Sequence, residues 1–325
     1  MEKTVLSILE SNQGQYISGQ KIGEALHMTR ANVWKEIEKL RKEGYHIDSI
    51  RNKGYCLLSR NNNLSRSMIR SYLNENTVSD IEILDAIDST NNYAKKIAQD
   101  ESIDNYCIIT DHQTKGRGRR GRSFYSPDKN GIYLSLILRP QLKVEDAQLI
   151  TIIAALAVVD AIESCYGIQT DIKWLNDIYL DQKKLAGILT EGEIILENTS
   201  YRYLVVGIGI NIFYDNNLPE ALKDIYTALE VAVGQDLDRD YLAGEIINHF
   251  YAYYRKLETD KEAIINQYKT YCFILGQEIS IKGKDGKYIA RDIDSRGHLI
   301  VEDKTGTLQA LNSGEISIGG FINEN

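Results

Sequence analysis

Paired cysteines, a long apolar run and a basic leader followed by apolar residues are all missing from this sequence. The four cysteines (Cys56, Cys107, Cys165 and Cys272) lie far apart and form no CxxC pair, which argues against a structural zinc site or a disulfide framework. The longest apolar run, 149–159, has 11 residues and is too short to span a bilayer. We therefore expect a cytoplasmic protein with no membrane partner, and we exclude the collagen-like, disordered and disulfide-scaffold classes.

Two nucleotide-binding signatures are absent as well. Residues 207–211 read GIGIN, which lacks the GxGxxG spacing of a dinucleotide fingerprint, and no GxxxxGK[ST] sequence of a P-loop occurs. The glycines in 207–211 instead indicate a strand end that permits close backbone approach, or simply a bulge.

The length and composition are those of a globular protein with two or three domains. The chain has 325 residues, of which 43% are hydrophobic and 26% charged. The net charge of −8 is uneven: residues 1–60 carry ten Lys and Arg against seven Asp and Glu, and the remainder carries 28 against 39. The first sixty residues thus have a net charge of +3 and the remainder has one of −11. This difference favours an N-terminal module that faces a polyanion, and the alternative is a chance fluctuation over sixty residues.

Residues 1–62 have the pattern of a winged helix-turn-helix domain. Apolar spacing predicts a helix around 5–9, a second over 19–26 capped by Ser18, and a third over 30–42 capped by Thr29 and ended by Gly44. Ile22, Ala25 and Leu26 are expected to face inward. Segments 45–50 and 55–58, joined by a basic turn, predict a hairpin.

This geometry suits DNA, because a helix fits the major groove and the wing reaches the phosphates. The residues predicted to contact DNA are Arg30, Asn32 and Lys35 on the third helix and Arg51 and Lys53 on the wing. Trp34 lies beside the apolar stripe and could pack under the wing or touch a thymine methyl. The alternative is a three-helix protein-interaction module that never meets DNA.

After a polar linker at 59–63, strands and helices alternate over residues 66–271, which predicts a mixed α/β layer with many antiparallel neighbours. The predicted strands are 81–87, 106–110, 131–139, 169–173, 178–180, 185–193 and 201–210, and the predicted helices are 91–99, 144–166 and 240–258. Five short strands follow, at 278–282, 287–293, 299–302, 307–311 and 315–318. The fold class expected is α+β.

The segment from Lys115 to Arg122, here called the arginine loop, carries five cations and three glycines in eight residues. Glycine lets a loop wrap closely around a ligand, and arginine offers a fixed fork to phosphate or carboxylate oxygens. We expect the loop to be mobile when empty and to order on an anion. A solvated basic loop and a nucleic-acid patch are the alternatives.

Two further segments carry chemistry. Residues 173–177 supply a cation, an aromatic side chain and a carboxylate that could hold a magnesium ion. The lysine pair Lys183 and Lys184 precedes small residues and a buried strand, which favours a lysine held in place over a solvated one.

These segments occur together in a known order. Ser89-Thr90-Asn91, Gln113 with the arginine loop, 173–177, 184–187 and 209–211 resemble the biotin protein ligases of the bifunctional type, the biotin operon repressors. The resemblance covers essentially the whole chain. It implies a winged helix over 1–62, a catalytic domain over 66–271 and an SH3-like barrel over 272–325.

The resemblance implies an enzyme that forms biotinyl-5'-AMP from biotin and ATP with Mg²⁺. The biotinyl group then passes to one lysine on the carrier domain of a biotin-dependent carboxylase. It also implies a repressor, a homodimer promoted by biotinyl-5'-AMP that binds an inverted-repeat operator. Two alternatives are a ligand-sensing transcription factor that has lost catalysis and a lipoate or octanoate ligase.

Site residues follow by position from the resemblance. The biotin-binding residues implied are Ser89, Thr90, Asn91, Gln113, Arg117, Gly118, Arg119 and Lys184. The ATP-binding residues implied are Arg117, Arg119, Arg120, Arg122, Phe124, Lys173, Asn176, Asp177 and Asn211. Lys184 and Arg119 would be catalytic and Asp177 would hold Mg²⁺. Leu175 replaces a usual proline, which would loosen its turn, and Phe124 replaces a usual tryptophan, which reduces the stacking area.

Overall fold

The computed structural model describes residues 4–12, 14–42, 45–51, 53–59, 63–74, 77–195, 200–234, 237–314 and 316–318. The chain divides into two compact units, Met1–Ser71 and Tyr72–Asn325.

The first unit is a helix-turn-helix with a wing, as predicted. Its elements are α1 (Val5–Glu10), α2 (Gly19–Leu26), α3 (Arg30–Lys42), β1 (His46–Ile50) and β2 (Gly54–Ser59), followed by α4 (Arg66–Tyr72), which runs across the boundary. The Ser18 hydroxyl accepts a hydrogen bond from the Lys21 amide at 3.2 Å, and the Thr29 hydroxyl accepts one from the Asn32 amide at 3.3 Å. Both predicted caps are therefore confirmed, because each satisfies a free N–H group of the first helical turn.

Two details of this unit differ from expectation. Ala25, expected to face inward, is exposed, whereas Gly23 is buried. A Cβ on Gly23 would lie 2.6 Å from the carbonyl oxygen of Met28, so the helix lies close to the following turn at this glycine. Trp34 is 53% exposed, so it does not pack under the wing. Gly44, Asn52 and residues 60–62 of the linker lie outside the described residues.

The second unit is built on a seven-stranded sheet in the order β3-β4-β5-β9-β8-β7-β6. Its strands are β3 (Asp80–Leu84), β4 (Tyr106–Thr110), β5 (Gly131–Leu138), β6 (Asp171–Lys173), β7 (Asp177–Leu180), β8 (Lys183–Ile195) and β9 (Ser200–Asn211). Among these described strands only β3 and β4 pair in parallel, and every other neighbour is antiparallel. The expected mixed layer is confirmed.

Helices cover this sheet. They are α5 (Thr90–Ile97), α6 (Ala147–Tyr166), α7 (Glu230–Val233), α8 (Arg239–Lys256) and α9 (Lys261–Tyr271). By length and composition the segment Val144–Tyr166 could cross a membrane, but 72% of its most apolar 18-residue stretch is buried inside the protein, as in a core helix. Its first three residues, Val144–Asp146, form a 3-10 turn and not the α-helix predicted for them. The strand predicted to reach Ile87 ends at Leu84.

The C-terminal part of this unit is a five-stranded antiparallel sheet in the order β13-β12-β11-β10-β14. The strands are β10 (Glu278–Ile281), β11 (Tyr288–Ile293), β12 (Leu299–Glu302), β13 (Leu308–Leu311) and β14 (Ile316–Ile318). The carbonyl oxygen of Gly297 accepts hydrogen bonds from the Trp174 indole at 2.9 Å and from the Gln148 amide at 2.8 Å. These bonds fix the β11–β12 turn beside segment 173–177.

Candidate functional site

All residues that the resemblance assigns to biotin or ATP line one cleft of roughly 1540 Å³ in the second unit. The cleft lies over β7, β8 and β9, and the C-terminal sheet adds Lys282 and Ser317 to its wall. The structure therefore brings the predicted residues together. The particular contacts of each with substrate stay a prediction.

One end of the cleft is a buried network of hydroxyls and amides. The Gln113 side-chain oxygen accepts hydrogen bonds from the Thr90 amide at 2.9 Å and from the Thr90 hydroxyl at 3.2 Å. The Ser135 hydroxyl lies 2.8 Å from the Thr90 hydroxyl and 2.7 Å from Asn91 Oδ1. A Cβ on Gly207 would lie 2.2 Å from Asn91 Oδ1, so glycine is required behind this network. Such buried polar groups are costly unless each has a partner, and their arrangement here is fixed.

The other end of the cleft is charged. Lys184 Nζ lies 3.2 Å from Asp177 Oδ1, and the Asn176 side-chain amide donates to the same oxygen at 2.9 Å. Arg119 Nη1 donates to Asn176 Oδ1 at 2.8 Å. Asn211 supports this cluster from β9, because its amide donates to the Lys184 carbonyl at 3.4 Å and to the Thr227 carbonyl at 3.0 Å. Two cations around one carboxylate leave a net positive site suited to an anion.

The turn at Leu175, expected to be loosened, is buried and held. Leu175 is 5% exposed, and its carbonyl oxygen accepts a hydrogen bond from the Tyr268 hydroxyl at 2.9 Å. Tyr268 belongs to α9, a helix that sequence reasoning missed. Lys173, at the start of the segment, places its ammonium 5.6 Å from the centre of the Tyr179 ring.

Phe124 lies across two glycines between the two ends of the cleft. A Cβ on Gly209 would lie 2.5 Å from its ring, and a Cβ on Gly187 would lie 3.2 Å from it. Gly209, for which the sequence predicted either close backbone approach or a bulge, therefore allows an aromatic ring to lie close to the backbone of β9. Gly187 does the same on β8.

The arginine loop is closed by its own backbone. The Gly118 amide donates to the Arg122 carbonyl at 2.8 Å, and the Phe124 amide donates to the Gly116 carbonyl at 2.9 Å. Arg120 has a φ of 56°, a left-handed conformation that an L-residue adopts at a cost. The loop thus forms a compact turn beside the cleft.

Arg117 points away from Arg119. Its Nη1 donates to Asn92 Oδ1 at 2.7 Å, and its Nη2 lies 3.2 Å from Glu191 Oε1. Glu191 was not singled out from the sequence, because nothing in segment 185–193 marks one strand carboxylate as functional.

An aromatic group that sequence reasoning also missed lines the cleft near β9. Tyr125 and Tyr226 pack edge to face with ring centres 6.2 Å apart, and the Tyr125 hydroxyl donates to Asp215 at 2.6 Å. Burial, together with the Asp215 hydrogen bond, raises the pKa of Tyr125 to about 12. Tyr125 is therefore neutral at physiological pH, and the two rings give the cleft a largely apolar wall, here called the tyrosine wall.

The chain has no group of three or more His, Cys, Asp or Glu side chains in the described residues that could hold a metal ion. Asp177 is nevertheless a fitting ligand for Mg²⁺, since that ion is commonly held by one or two carboxylates with substrate phosphates and water.

In the first unit, all five residues predicted to contact DNA are exposed on α3 and the wing. The guanidinium of Arg30 donates to the Gln20 side chain, and Lys53 Nζ lies 5.8 Å from the centre of the Tyr16 ring. A hydrogen bond to Asp48 is the main reason that the pKa of Tyr16 rises to about 12.

The fold and the cleft together define a class: a mixed α/β domain whose cleft has a buried polar end and a cationic end, with a helix-turn-helix module in the same chain. Three family models match the chain. They are the biotin/lipoate A/B protein ligase family over residues 83–211, an HTH domain over 2–56 and a biotin protein ligase C-terminal domain over 274–319.

Comparison with individual proteins identifies the family more specifically. The bifunctional ligase/repressor BirA of Bacillus subtilis is 36% identical over 324 residues, 98% of this chain and 99% of the relative. The Escherichia coli protein of that name is 30% identical over 94% of each chain. A solved biotin protein ligase from Aquifex aeolicus in complex with biotin and ATP superposes with a TM-score of 0.62 at 27% identity, over 74% of this chain and 98% of that one.

The chain belongs to the family of bifunctional biotin ligase/repressor proteins. The predictions of an ATP-dependent biotin ligase, of a repressor module and of an α+β fold are thereby confirmed.

Proposed function

We propose that the cleft joins the carboxylate of biotin to the α-phosphate of ATP and then passes the biotinyl group to a carrier-domain lysine. The observation that carries this assignment is the placement of Lys184, Asn176, Asp177 and Arg119 as one charged cluster at the end of a polar, buried pocket. A neutral binding end next to a cationic reacting end is what an adenylating enzyme needs.

Biotin binds at the network end. Its ureido group offers one carbonyl and two N–H groups, which hydroxyl and amide side chains can match. Ser89, Thr90, Asn91 and Gln113 supply such groups from the start of α5 and from the strand-end loop, and Ser89, Thr90 and Asn91 are buried. Since Thr90, Asn91 and Gln113 each have hydrogen-bond partners within the protein, the pocket holds its shape before biotin arrives.

At the charged end a carboxylate oxygen of biotin attacks the α-phosphorus of ATP, and pyrophosphate leaves as the bond from that phosphorus to the bridging oxygen breaks. Both reactants are anions, so charge repulsion is the main obstacle. Lys184 and Arg119 lie where the carboxylate and the α-phosphate must meet, and Arg120 and Arg122 add charge from the loop. Preorganised cations lower the barrier because they need no rearrangement when charge develops. Holding both reactants in one cleft removes an entropic barrier of roughly several kcal/mol. Mg²⁺, held through Asp177, would supply further Lewis-acid charge on the phosphates.

The nucleotide lies along Phe124 and the tyrosine wall. Phe124 with Gly209 and Gly187 forms a flat floor, and Tyr125 and Tyr226 form an apolar side that excludes water. Exclusion of water protects the mixed anhydride from hydrolysis. The carrier lysine then attacks the biotinyl carbonyl, a C–N bond forms, and AMP leaves with the electron pair of the broken C–O bond.

The first unit binds operator DNA through Arg30, Asn32 and Lys35 in the major groove and through Arg51 and Lys53 on the phosphates. Two copies in a homodimer, promoted by biotinyl-5'-AMP, would read an inverted repeat. We place the domain boundaries at 1–62, 66–271 and 272–325, and the protein in the cytoplasm.

The test is to incubate the protein with biotin, MgATP and a biotin carrier domain and to measure the mass of the carrier. One added biotinyl group is expected, and a carrier with its target lysine changed to arginine should gain none. Lipoate or octanoate in place of biotin separates the alternative ligases. A carrier whose mass is unchanged with biotin would refute the proposal.

A further inference from the structure

We propose that Glu191 is a positioning residue that tethers the base of the arginine loop and fixes Asn91 in the biotin pocket. The proposal rests on the site assigned under the proposed function and adds to it a residue that touches neither substrate. It also gives Arg117 a structural task that differs from the substrate contact expected of it.

Glu191 is placed at the meeting point of three elements. Its Oε1 accepts from Lys95 Nζ at 2.8 Å and pairs with Arg117 Nη2 at 3.2 Å, and its Oε2 accepts from Asn91 Nδ2 at 2.9 Å. Lys95 and Asn91 lie on α5, Arg117 in the loop and Glu191 on β8. One carboxylate therefore joins helix, loop and strand, and its side chain is only 20% exposed.

The contact with Asn91 decides which way the amide faces. Asn91 Nδ2 donates to Glu191 and to the Leu189 carbonyl at 3.1 Å, while Asn91 Oδ1 lies 2.7 Å from the Ser135 hydroxyl. An amide has two donors and two acceptor sites, so a carboxylate on one side and a hydroxyl on the other allow one orientation only. That orientation sets the polar pattern that biotin meets.

The contact with Arg117 decides where the loop begins. Asn92 and Glu191 hold the guanidinium from two directions, whereas Arg119, two residues later, bonds to Asn176 at the charged end. The loop is thus fastened at two points, to α5 and β8 through Arg117 and to segment 173–177 through Arg119. Loss of the first point would leave Lys95 and Arg117 as like charges without their shared carboxylate, and the start of the loop would open.

The chain contains a matched control. Glu193 lies two residues further along β8, so its side chain leaves the same face of the strand. Its Oε2 accepts from Gln99 at 3.0 Å and its Oε1 pairs with Arg202 at 3.2 Å, and neither partner lines the cleft. Glu193→Gln therefore removes an equivalent charge from the same surface without touching the loop or Asn91.

The experiment compares Glu191→Gln, Glu191→Asp and Glu193→Gln in the full chain by steady-state carrier biotinylation and by hydrogen exchange of residues 116–124. Loss of a carboxylate that accepts three charged or amide donors should raise the KM for biotin on the order of 10-fold or more. We expect kcat and the KM for ATP to change less than the KM for biotin, because Arg119 keeps its hydrogen bond to Asn176 at the charged end. Exchange of the loop should become faster in Glu191→Gln, Glu191→Asp should fall between, and Glu193→Gln should match the unmutated protein.

A double-mutant cycle with Arg117→Met measures the coupling between Arg117 and Glu191 in the exchange of the loop. Because Arg117 acts through Glu191, exchange of the loop in the double variant should be no faster than in Glu191→Gln alone. Equal KM values and equal exchange in Glu191→Gln and Glu193→Gln, with both variants folded by thermal melting, would overturn the proposal. An unmutated protein that fails to biotinylate the carrier would refute the proposed function instead, and the exchange comparison would still test the tether.

Discussion

Lys184→Met removes one charge from the place where two anions must meet, and adenylate formation should fall steeply. Lys184 is 15% exposed on its side chain and lies 3.2 Å from Asp177. For an effective dielectric constant of about 20 and a separation of about 4 Å, one cation stabilises one negative charge by about 4 kcal/mol. That value corresponds to a rate change of about 10³-fold. Since Asp177 already neutralises part of the charge, we expect a loss of about 10²- to 10³-fold.

The neighbouring lysine supplies the control. Lys183 precedes Lys184 in β8, and its ammonium donates to the Lys223 carbonyl at 3.0 Å outside the charged cluster. Lys183→Met therefore removes the same charge and the same side-chain length without changing the reacting end.

The assay is biotin-dependent exchange of pyrophosphate into ATP, which reports adenylate formation without the carrier. Thermal melting of both variants checks that the fold is kept. Exchange by Lys184→Met within about threefold of Lys183→Met would refute the electrostatic role, since one tenfold step corresponds to only about 1.4 kcal/mol.

Four further outcomes are expected. Arg119→Gly should release the adenylate, so stray biotin on a bystander protein, followed by avidin blot, should rise above the unmutated level. Arg239→Met should destabilise the protein by about 3–5 kcal/mol in urea, because Asp111, 2.7 Å away and 8% exposed, would remain buried without its partner. Burial alone would raise the pKa of Glu191, but Lys95, Asn91 and Arg117 hold that pKa below its ordinary 4.5. The ionised Glu191 carboxylate therefore stabilises the folded protein at pH values above 4.5, and this stabilisation is lost as the carboxylate is protonated at lower pH. The difference in unfolding free energy between the unmutated protein and Glu191→Gln should accordingly shrink as the pH falls below 4.5. Lys53→Ala should reduce the salt slope of operator affinity by about 1, as expected for one phosphate contact, and an unchanged slope would remove Lys53 from the interface.

The helices that the sequence predicted best are those with local signals at both ends. The second and third helices begin directly after Ser18 and Thr29, and the start of each is fixed by a hydrogen bond within three residues. Strand β4 was also predicted with its observed bounds, 106–110, because it is a short apolar run between polar turns.

Helix α9 was missed although part of its signal is local. In its sequence, KEAIINQYKTY, the buried residues Ile264, Ile265 and Tyr268 are spaced as on one face of a helix. The position of the helix is tertiary, because Tyr268 is fully buried and donates to Leu175, about 90 residues earlier in the chain. Periodicity can therefore indicate this helix, but no local window contains the partner against which it packs.

The distance between partners in the sequence also decides which site residues could be predicted. Residues that lie next to one another in sequence, such as 89–91 and 173–177, could be recognised as segments, and the fold brings them to one cleft. Glu191 could not be recognised, because its partners Asn91 and Arg117 lie about 100 and 70 residues away. A carboxylate on a strand acquires its role only when the sheet places it beside a particular helix and loop.

Clustered cations repel one another, and the sequence alone led us to expect a mobile arginine loop that orders only on an anion. The protein supplies part of the compensation itself. Glu191 and Asn92 hold the guanidinium of Arg117, and Asn176 holds the guanidinium of Arg119. The two guanidinium groups are thereby directed apart, which lowers their repulsion before any ligand binds. An incoming nucleotide would then have to order only the part of the loop that follows Arg119, so less ordering free energy is lost on binding than an unfastened loop would require.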